Sequence, residues 1–573
     1  MYALLLSLAF QVNAPDSVRL RAAMDDTWRQ LMVEFPEWAT TAGFPGQNRR
    51  WTDYSPAGFE RRRRVFADLQ RGLEAIRRDR LGEADRLSYD VAADFFAMQL
   101  SQPARDHSTG GYGYTPISQV DGAHVDVAQI LAQMPRRTAA DYEDIVARLR
   151  AVPALVDGLI ATLEADVAAG ITLPRIVLRD VPGQIRAIAA EDSTSPLLEP
   201  FSRMPQGIGP ADGALAVREA AAPALRRLLE FVERRYIPRA RETIALSALP
   251  DGAAWYARQI RKHTTTTMSA REIHALGLRE VRRLRAEMDS LMRLTGFQGT
   301  LAQFGEFLRT DARFFYSDAP SLVRGYRDIA KRADPELVKL FGRLPRLPYG
   351  VTPVPSFFER STTTAYYQPG SPAAGRAGVF FVNTYDLKSR PTWEMEALSL
   401  HEAVPGHHLQ IALAQELDDV PELRRQLGYN AFVEGWALYS ETLGGEMGFY
   451  ADPYSRFGAA TYQMWRAIRL VLDTGIHSMG WTREQAIAYF KENSTKPEHD
   501  ITVEVDRYIA WPGQALGYML GALRIRALRD SAQDALGDRF DIRAFHDRIL
   551  GQGALPLSLL EQRIASWVEG ARR

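Results

Sequence analysis

Apolar residues return every three or four positions, with Arg and Glu between them, through Gly58–Arg78, Ala139–Ala168, Gly213–Ala245 and Ala270–Leu294. That is the period of an α-helix with one apolar stripe, and it makes most of the chain helical. At 573 residues the chain has room for several domains or one large enzyme body with a packed core. The run Glu60-Arg61-Arg62-Arg63-Arg64 falls inside the helical period and is balanced by nearby acids, so it reads as a solvated helix face. Over the whole chain 70 Lys and Arg meet 70 Asp and Glu, and this balance argues against a nucleic-acid binder. Cysteine is absent, which excludes disulfides, thiolate zinc sites, iron–sulfur clusters and cysteine nucleophiles.

The texture changes between about Leu344 and Arg390. A Pro-rich stretch, LPRLPYGVTPVPSFF, is followed by two segments rich in β-branched and aromatic residues, Thr362–Tyr367 and Gly378–Thr384, with Gly and Pro between them. They read as two short strands of a small sheet within a helical protein. Pro391 then opens a helical run, PTWEMEALSLHEA, and later breaks fall at Gly444-Gly445, Pro497 and Pro512-Gly513. The change of texture suggests an N-terminal helical half, 15–340, and a C-terminal half, 341–573. Residues 1–14 hold a short apolar run, Ala3–Phe10, and a small-residue Val12-Asn13-Ala14. This is the outline of a signal segment, which would make the protein periplasmic or secreted; the alternative is a terminal helix turn of a cytoplasmic protein. No stretch approaches the ~20 apolar residues of a membrane span, so no integral membrane segment is expected.

Three of the ten histidines fall in one window, His401-Glu402-Ala403-Val404-Pro405-Gly406-His407-His408. Imidazoles beside a carboxylate are what a zinc site requires: neutral ligands, and a base to handle the proton of water. The usual motif sets its two His four residues apart on one helix face, and here the fifth position is Pro405. On a straight helix at ~1.5 Å per residue, position 407 would stand ~9 Å along the axis from 401 and on another face. Position 408 would share the face of 401 at ~10.5 Å. Pro405 cannot donate to the carbonyl of His401, so the helix should break there, and Gly406 frees the backbone to bring the next residue back. Downstream, Glu434 and Glu441 stand seven apart on one side of an otherwise apolar helix, where a carboxylate is costly unless paired or bound to metal. Gly435 permits close approach of another element.

The segment HEAVPGHHLQ, preceded by NTYDLKSRPTWEMEALSL and followed by VEGWALYSE, resembles the bacterial family called domain of unknown function 885. DTGIHSMGWTREQAIAYF, DRYIAWPGQALGYMLG, PEWATTAGF and RLSYD extend the likeness over nearly the whole chain. The family is grouped with gluzincin metallopeptidases, and the resemblance implies a mainly α, gluzincin-like body. It would have a small β-sheet beside the active-site helix and a deep channel between two helical halves. Carried over, His401, His407 and Glu434 would hold one Zn2+ per chain, with Glu402 as general base. His407 is preferred to His408 because a Gly-His pair ends the motif in several helical gluzincins. Glu441 would hold an imidazole N–H from behind. Tyr518 would donate to the oxyanion, with His477 and Tyr508 as rivals, and His477 would be a further catalytic candidate. The strand Val379–Thr384, which includes Asn383, would pair with extended substrate. Arg507 would grip a peptide carboxylate or pair with Asp506 or Glu504, and Tyr508 and Tyr367 would meet substrate. The expected activity is hydrolysis of short peptides. The alternatives are hydrolysis of a non-peptide amide or ester, and a non-catalytic binding protein on a peptidase scaffold.

Overall fold

The computed structural model describes residues 15–108, 114–202, 204, 211–355, 359 and 363–573. The expected signal segment, 1–14, lies outside them. The chain divides into two compact units, Met1–Thr243 with Asp418–Arg424, and Ile244–Leu417 with Arg425–Arg573. Among the described residues no helix is long and apolar enough to cross a membrane.

The first unit is built of helices such as Asp16–Glu34, Pro56–Glu74, Ala139–Arg150 and Val152–Ala168. Their starts are written in the sequence. Ser55 accepts from the Gly58 amide, and Thr138 and Asp141 form a reciprocal cap. The arginine run is only partly a solvated face. Arg61 pairs with Glu34 at 3.0 Å, but Arg62 is buried with its guanidinium 4.5 Å from the Phe59 ring centroid. Segment 418–424 joins this unit through Arg424, which is buried and donates to Ser88 at 3.0 Å.

The second unit carries the helices that matter for chemistry: α1 (Gly252–Thr264), α2 (Ala270–Leu294), α3 (Ala319–Ala333), α4 (Met395–Glu402), α5 (His407–Gln415), α6 (Asn430–Thr442), α7 (Pro453–Met479), α8 (Glu498–Ala510), α9 (Leu516–Leu536) and α10 (Ile542–Leu550). Its core lies along α7, whose residues from Phe457 to His477 are nearly all buried, and along α6 and α9. The texture change near residue 340 marks the sheet inside this unit, not its edge, because α2 lies lengthwise on α7 with Gly277 against Leu470 and Val471.

The sheet has three strands, β1 (Tyr349–Pro353), β2 (Ala365–Gln368) and β3 (Gly378–Val382), in the order β1-β3-β2. β1 pairs parallel with β3, and β2 pairs antiparallel. β1 lies in the Pro-rich stretch ahead of the two expected strands, where no strand is expected; an edge position lets Pro353 end it where no donor is needed. β3 is the central strand, so both its edges are taken. It therefore has none to offer an extended substrate, contrary to the expectation for Val379–Thr384.

Candidate metal centre

The helix carrying the histidine window breaks where Pro405 requires. α4 ends at Glu402, Val404–Pro405 is a cis peptide, and α5 starts at His407. Trp436 Nε1 donates to the Pro405 carbonyl at 2.8 Å and pins the turn. Gly406 is needed for the fold-back: a Cβ there would lie 1.9 Å from the His401 carbonyl oxygen and 2.4 Å from that of Leu400. The turn brings the His401 and His407 rings to 4.8 Å between centroids, nearly perpendicular.

Glu434 meets both from α6. Its Oε2 is 3.7 Å from His401 Nε2 and 3.5 Å from His407 Nε2, and all three potential ligand atoms lie within 4.8 Å of one another. Metal–ligand bonds of about 2.0–2.1 Å put tetrahedral ligand atoms about 3.3–3.5 Å apart, and the two Glu434–His separations come near that spacing. Oε2 of Glu434 is buried without a hydrogen-bond partner. A metal ion, or a proton on one of the two imidazoles it faces, would satisfy an oxygen of this kind. α6 can deliver Glu434 because Gly435, the next residue, lies on Gly521 of α9. A Cβ on Gly435 would be 2.5 Å from the Gly521 Cα.

Glu441, two turns further along α6, accepts from His401 Nδ1 at 2.8 Å, as expected of it, and this turns Nε2 towards Glu434. Burial works against a charged His401, but Glu434 and Glu441 on its two nitrogens hold its pKa up at about 9. Burial likewise opposes ionised Glu434, and the two imidazoles pull it well below the usual carboxylate range. Both directions say the pocket favours positive charge between these groups. Glu402, beside His401, is 8 % exposed, and its side chain has no hydrogen bond or ion pair among the described residues.

His408 points elsewhere. Its Nδ1 is 2.9 Å from the Tyr367 hydroxyl, its ring lies 4.4 Å from that of Tyr349, and it meets the Leu347 carbonyl. Burial lowers its pKa to about 4, so it is a neutral prop between α5 and the sheet. Tyr367 is thereby committed to His408.

Other expected residues serve the fold. His477 accepts from the Leu246 amide at 3.0 Å and donates to the Tyr508 carbonyl at 2.9 Å, so neither ring nitrogen is left for catalysis. Asn383 is 1 % exposed and donates to the Glu359 and Thr363 carbonyls while accepting from the Tyr385 amide, which ties down the loop after β3 instead of binding substrate. The Tyr508 hydroxyl receives Trp465 and Arg469 and bonds to Glu504. Arg507 takes the second of its sequence alternatives. It lies 3.3 Å from Glu504 and also donates to Gln514 at 2.8 Å and to Tyr518 at 3.1 Å. Tyr518 accepts from both Arg507 and Gln514, which leaves its own proton to give. It stands one turn before Gly521, where α9 meets the helix of Glu434.

Arg466 and Arg469 of α7, buried beside this cluster, were not legible as site residues: inside a helical period an Arg reads as surface. The only sequence signal was their place in an otherwise apolar stretch of α7.

A family model described as bacterial protein of unknown function (DUF885) matches residues 36–564, and the chain belongs to that family. Two solved structures described as "putative lipoprotein" share the fold. The one from Colwellia psychrerythraea is 27% identical at a TM-score of 0.91, covering 97% of this chain and 99% of that one. The one from Shewanella oneidensis, described as of unknown function, is 18% identical at a TM-score of 0.73, covering 96% of this chain and 100% of that one. No curated protein matches the sequence.

Proposed function

We propose that this DUF885 member is a zinc-dependent peptidase acting on short peptides. One observation carries the reading: His401, His407 and Glu434 present three ligand atoms within 4.8 Å of one another, and the unpaired Glu402 adjoins the first of them. Three protein ligands of the His2Glu kind leave a fourth position open, which is the pattern of a catalytic site. A zinc ion bound there would polarise the scissile carbonyl and make water acidic enough to react near neutral pH.

The chain's own groups would do the rest. Glu402 takes the proton of the attacking water and passes it to the leaving amine. Tyr518 gives its free O–H to the oxygen that becomes negative. Glu441 fixes the tautomer and angle of His401, and the Pro405–Trp436 contact fixes the turn that carries His407. The lipoprotein description of the 27% identical neighbour supports a location outside the cytoplasm.

The test is digestion of a mixed peptide library, with cleavage mapped by mass spectrometry, before chelation, after it, and after zinc is restored. The reading expects about one zinc per chain, loss of cleavage on chelation and its return with zinc. Full cleavage by rigorously metal-free protein would overturn it. Turnover confined to non-peptide amides or esters would overturn the substrate class.

A further inference from the structure

Two buried arginines in α7 lack the partners that a buried guanidinium needs. Arg466 is 4 % exposed, and its Nε has no hydrogen-bond partner. Its best contacts are the Tyr462 carbonyl at 3.5 Å and Glu441 at 3.7 Å. Arg469, one turn on and 2 % exposed, donates to Tyr508 and Glu504, but its Nη1 has no partner. Both guanidinium groups sit 4.8 Å from the Trp465 ring, and at 5.9 and 4.2 Å from that of Tyr518, so they face common ground. The Tyr462 hydroxyl beside Arg466 is also buried and unpartnered.

The carboxylates beside them are shared. Lys496 and Glu394 satisfy each other at 2.6 Å. Arg469 and Arg507 share the single carboxylate of Glu504, and Arg466 shares Glu441 with His401. Buried guanidinium N–H groups without partners are costly until an acceptor meets them. The forked N–H pattern of arginine suits an anion with two oxygens in a plane.

We propose that Arg466 and Arg469 form a recognition site for a peptide carboxylate, given by the chain terminus or by an acidic residue close to it. The inference rests on the peptidase reading for its substrate class. Two contacts, through Glu441, connect Arg466 to His401. An extended peptide covers about 3.3–3.6 Å per residue, so one or two residues beyond the scissile bond span such a separation. The protein would then remove one or two residues from peptide C-termini. Arg507, already committed to Glu504, Gln514 and Tyr518, supports the site from behind.

Binding to metal-loaded Glu402→Gln protein tests this without turnover. The ligands are one tetrapeptide as the free acid, the same peptide as its C-terminal amide, and an amide that ends in Glu. The free acid should bind roughly 10- to 100-fold more tightly than the plain amide, the usual worth of charge-assisted hydrogen bonds. A match between the Glu-ending amide and the free acid would assign recognition to either source of carboxylate, and a lower affinity would assign it to the terminus. Arg466→Gln should erase the advantage of the free acid over the plain amide. Should that variant fail to fold, the acid-to-amide ratio of the Arg466-bearing protein still decides. Equal binding of free acid and both amides would overturn the proposal. Preference for the acid with no peptide cleaved by zinc-loaded wild type would instead sink the peptidase reading alone.

Discussion

Replacing Gly435 with Ala adds one methyl group where the ligand helix touches its neighbour. The new Cβ would lie 2.5 and 2.6 Å from the Cα and carbonyl carbon of Gly521 and 2.9 Å from the Ala522 nitrogen. All three are backbone atoms, so no side chain can swing aside. Comfortable carbon contacts are about 3.5–4.0 Å, so α6 and α9 must part by about 1 Å. Overpacking of this kind costs roughly 1–3 kcal/mol, and the better helix propensity of Ala returns up to about 1 kcal/mol. The net loss of stability should be about 1–2 kcal/mol. The effect on metal should be larger in proportion, because Glu434 is the preceding residue and ligand distances tolerate only about 0.2 Å. Zinc affinity, measured by competition with a chromophoric chelator, should fall at least about ten-fold, with stability followed by denaturant unfolding of metal-free protein. Gly445→Ala is the control, since a Cβ there meets nothing within 4 Å. Wild-type zinc affinity in Gly435→Ala would refute the claim that the Gly435–Gly521 crossing positions the third ligand.

His407→Ala should lose zinc, whereas His408→Ala should keep it and lose stability, because His408 props α5 on Tyr367 and Tyr349; zinc analysis of both variants checks this. Tyr518→Phe should lower kcat by roughly 10²–10³ with a much smaller change in KM, since one oxyanion donor is removed; a KM effect alone would give Tyr518 a binding role. His546 is buried between the Tyr439 hydroxyl and the Leu340 carbonyl, and burial pushes its pKa down to about 3 from 6.5. The unfolded chain takes up that proton below about pH 6.5 and the folded one does not, so the stability held by neutral His546 is whole above this pH. It should fall by about 1.4 kcal/mol per unit as the solution is acidified towards the folded pKa. His546→Gln should flatten the slope of unfolding free energy against pH by that amount between about 6.5 and 4.5, and an unchanged slope would move the titration elsewhere.

Local chemistry was legible in the sequence where it is also local in the structure. The apolar period gave the helices, Pro405 and Gly406 marked the break that folds His407 back to His401, and Gly435 announced a helix crossing. The parts that failed depend on partners distant in sequence. β1 lies in a Pro-rich stretch where no strand is expected, and only its parallel pairing with β3 makes it a strand. His477 resembles a catalytic residue until Leu246 and Tyr508 are found on its two nitrogens. Asn383 looks like a substrate contact on an open strand, whereas the closure of the sheet around β3 turns it to the loop carbonyls. Arg466 and Arg469 show the reverse error. A charged residue in a helical period reads as surface, and only the packing around α7 reveals it as buried and short of partners.

The most direct measurement of the central claim compares peptide cleavage by zinc-loaded wild type and zinc-loaded Glu402→Gln, with metal content measured on the same samples. An amide cannot take the proton of water, so the variant should carry the same zinc as wild type while cleavage falls by roughly 10²–10⁴. Equal cleavage by the two proteins at equal zinc content would contradict the assignment of Glu402, and with it the reading of this centre as a zinc peptidase site.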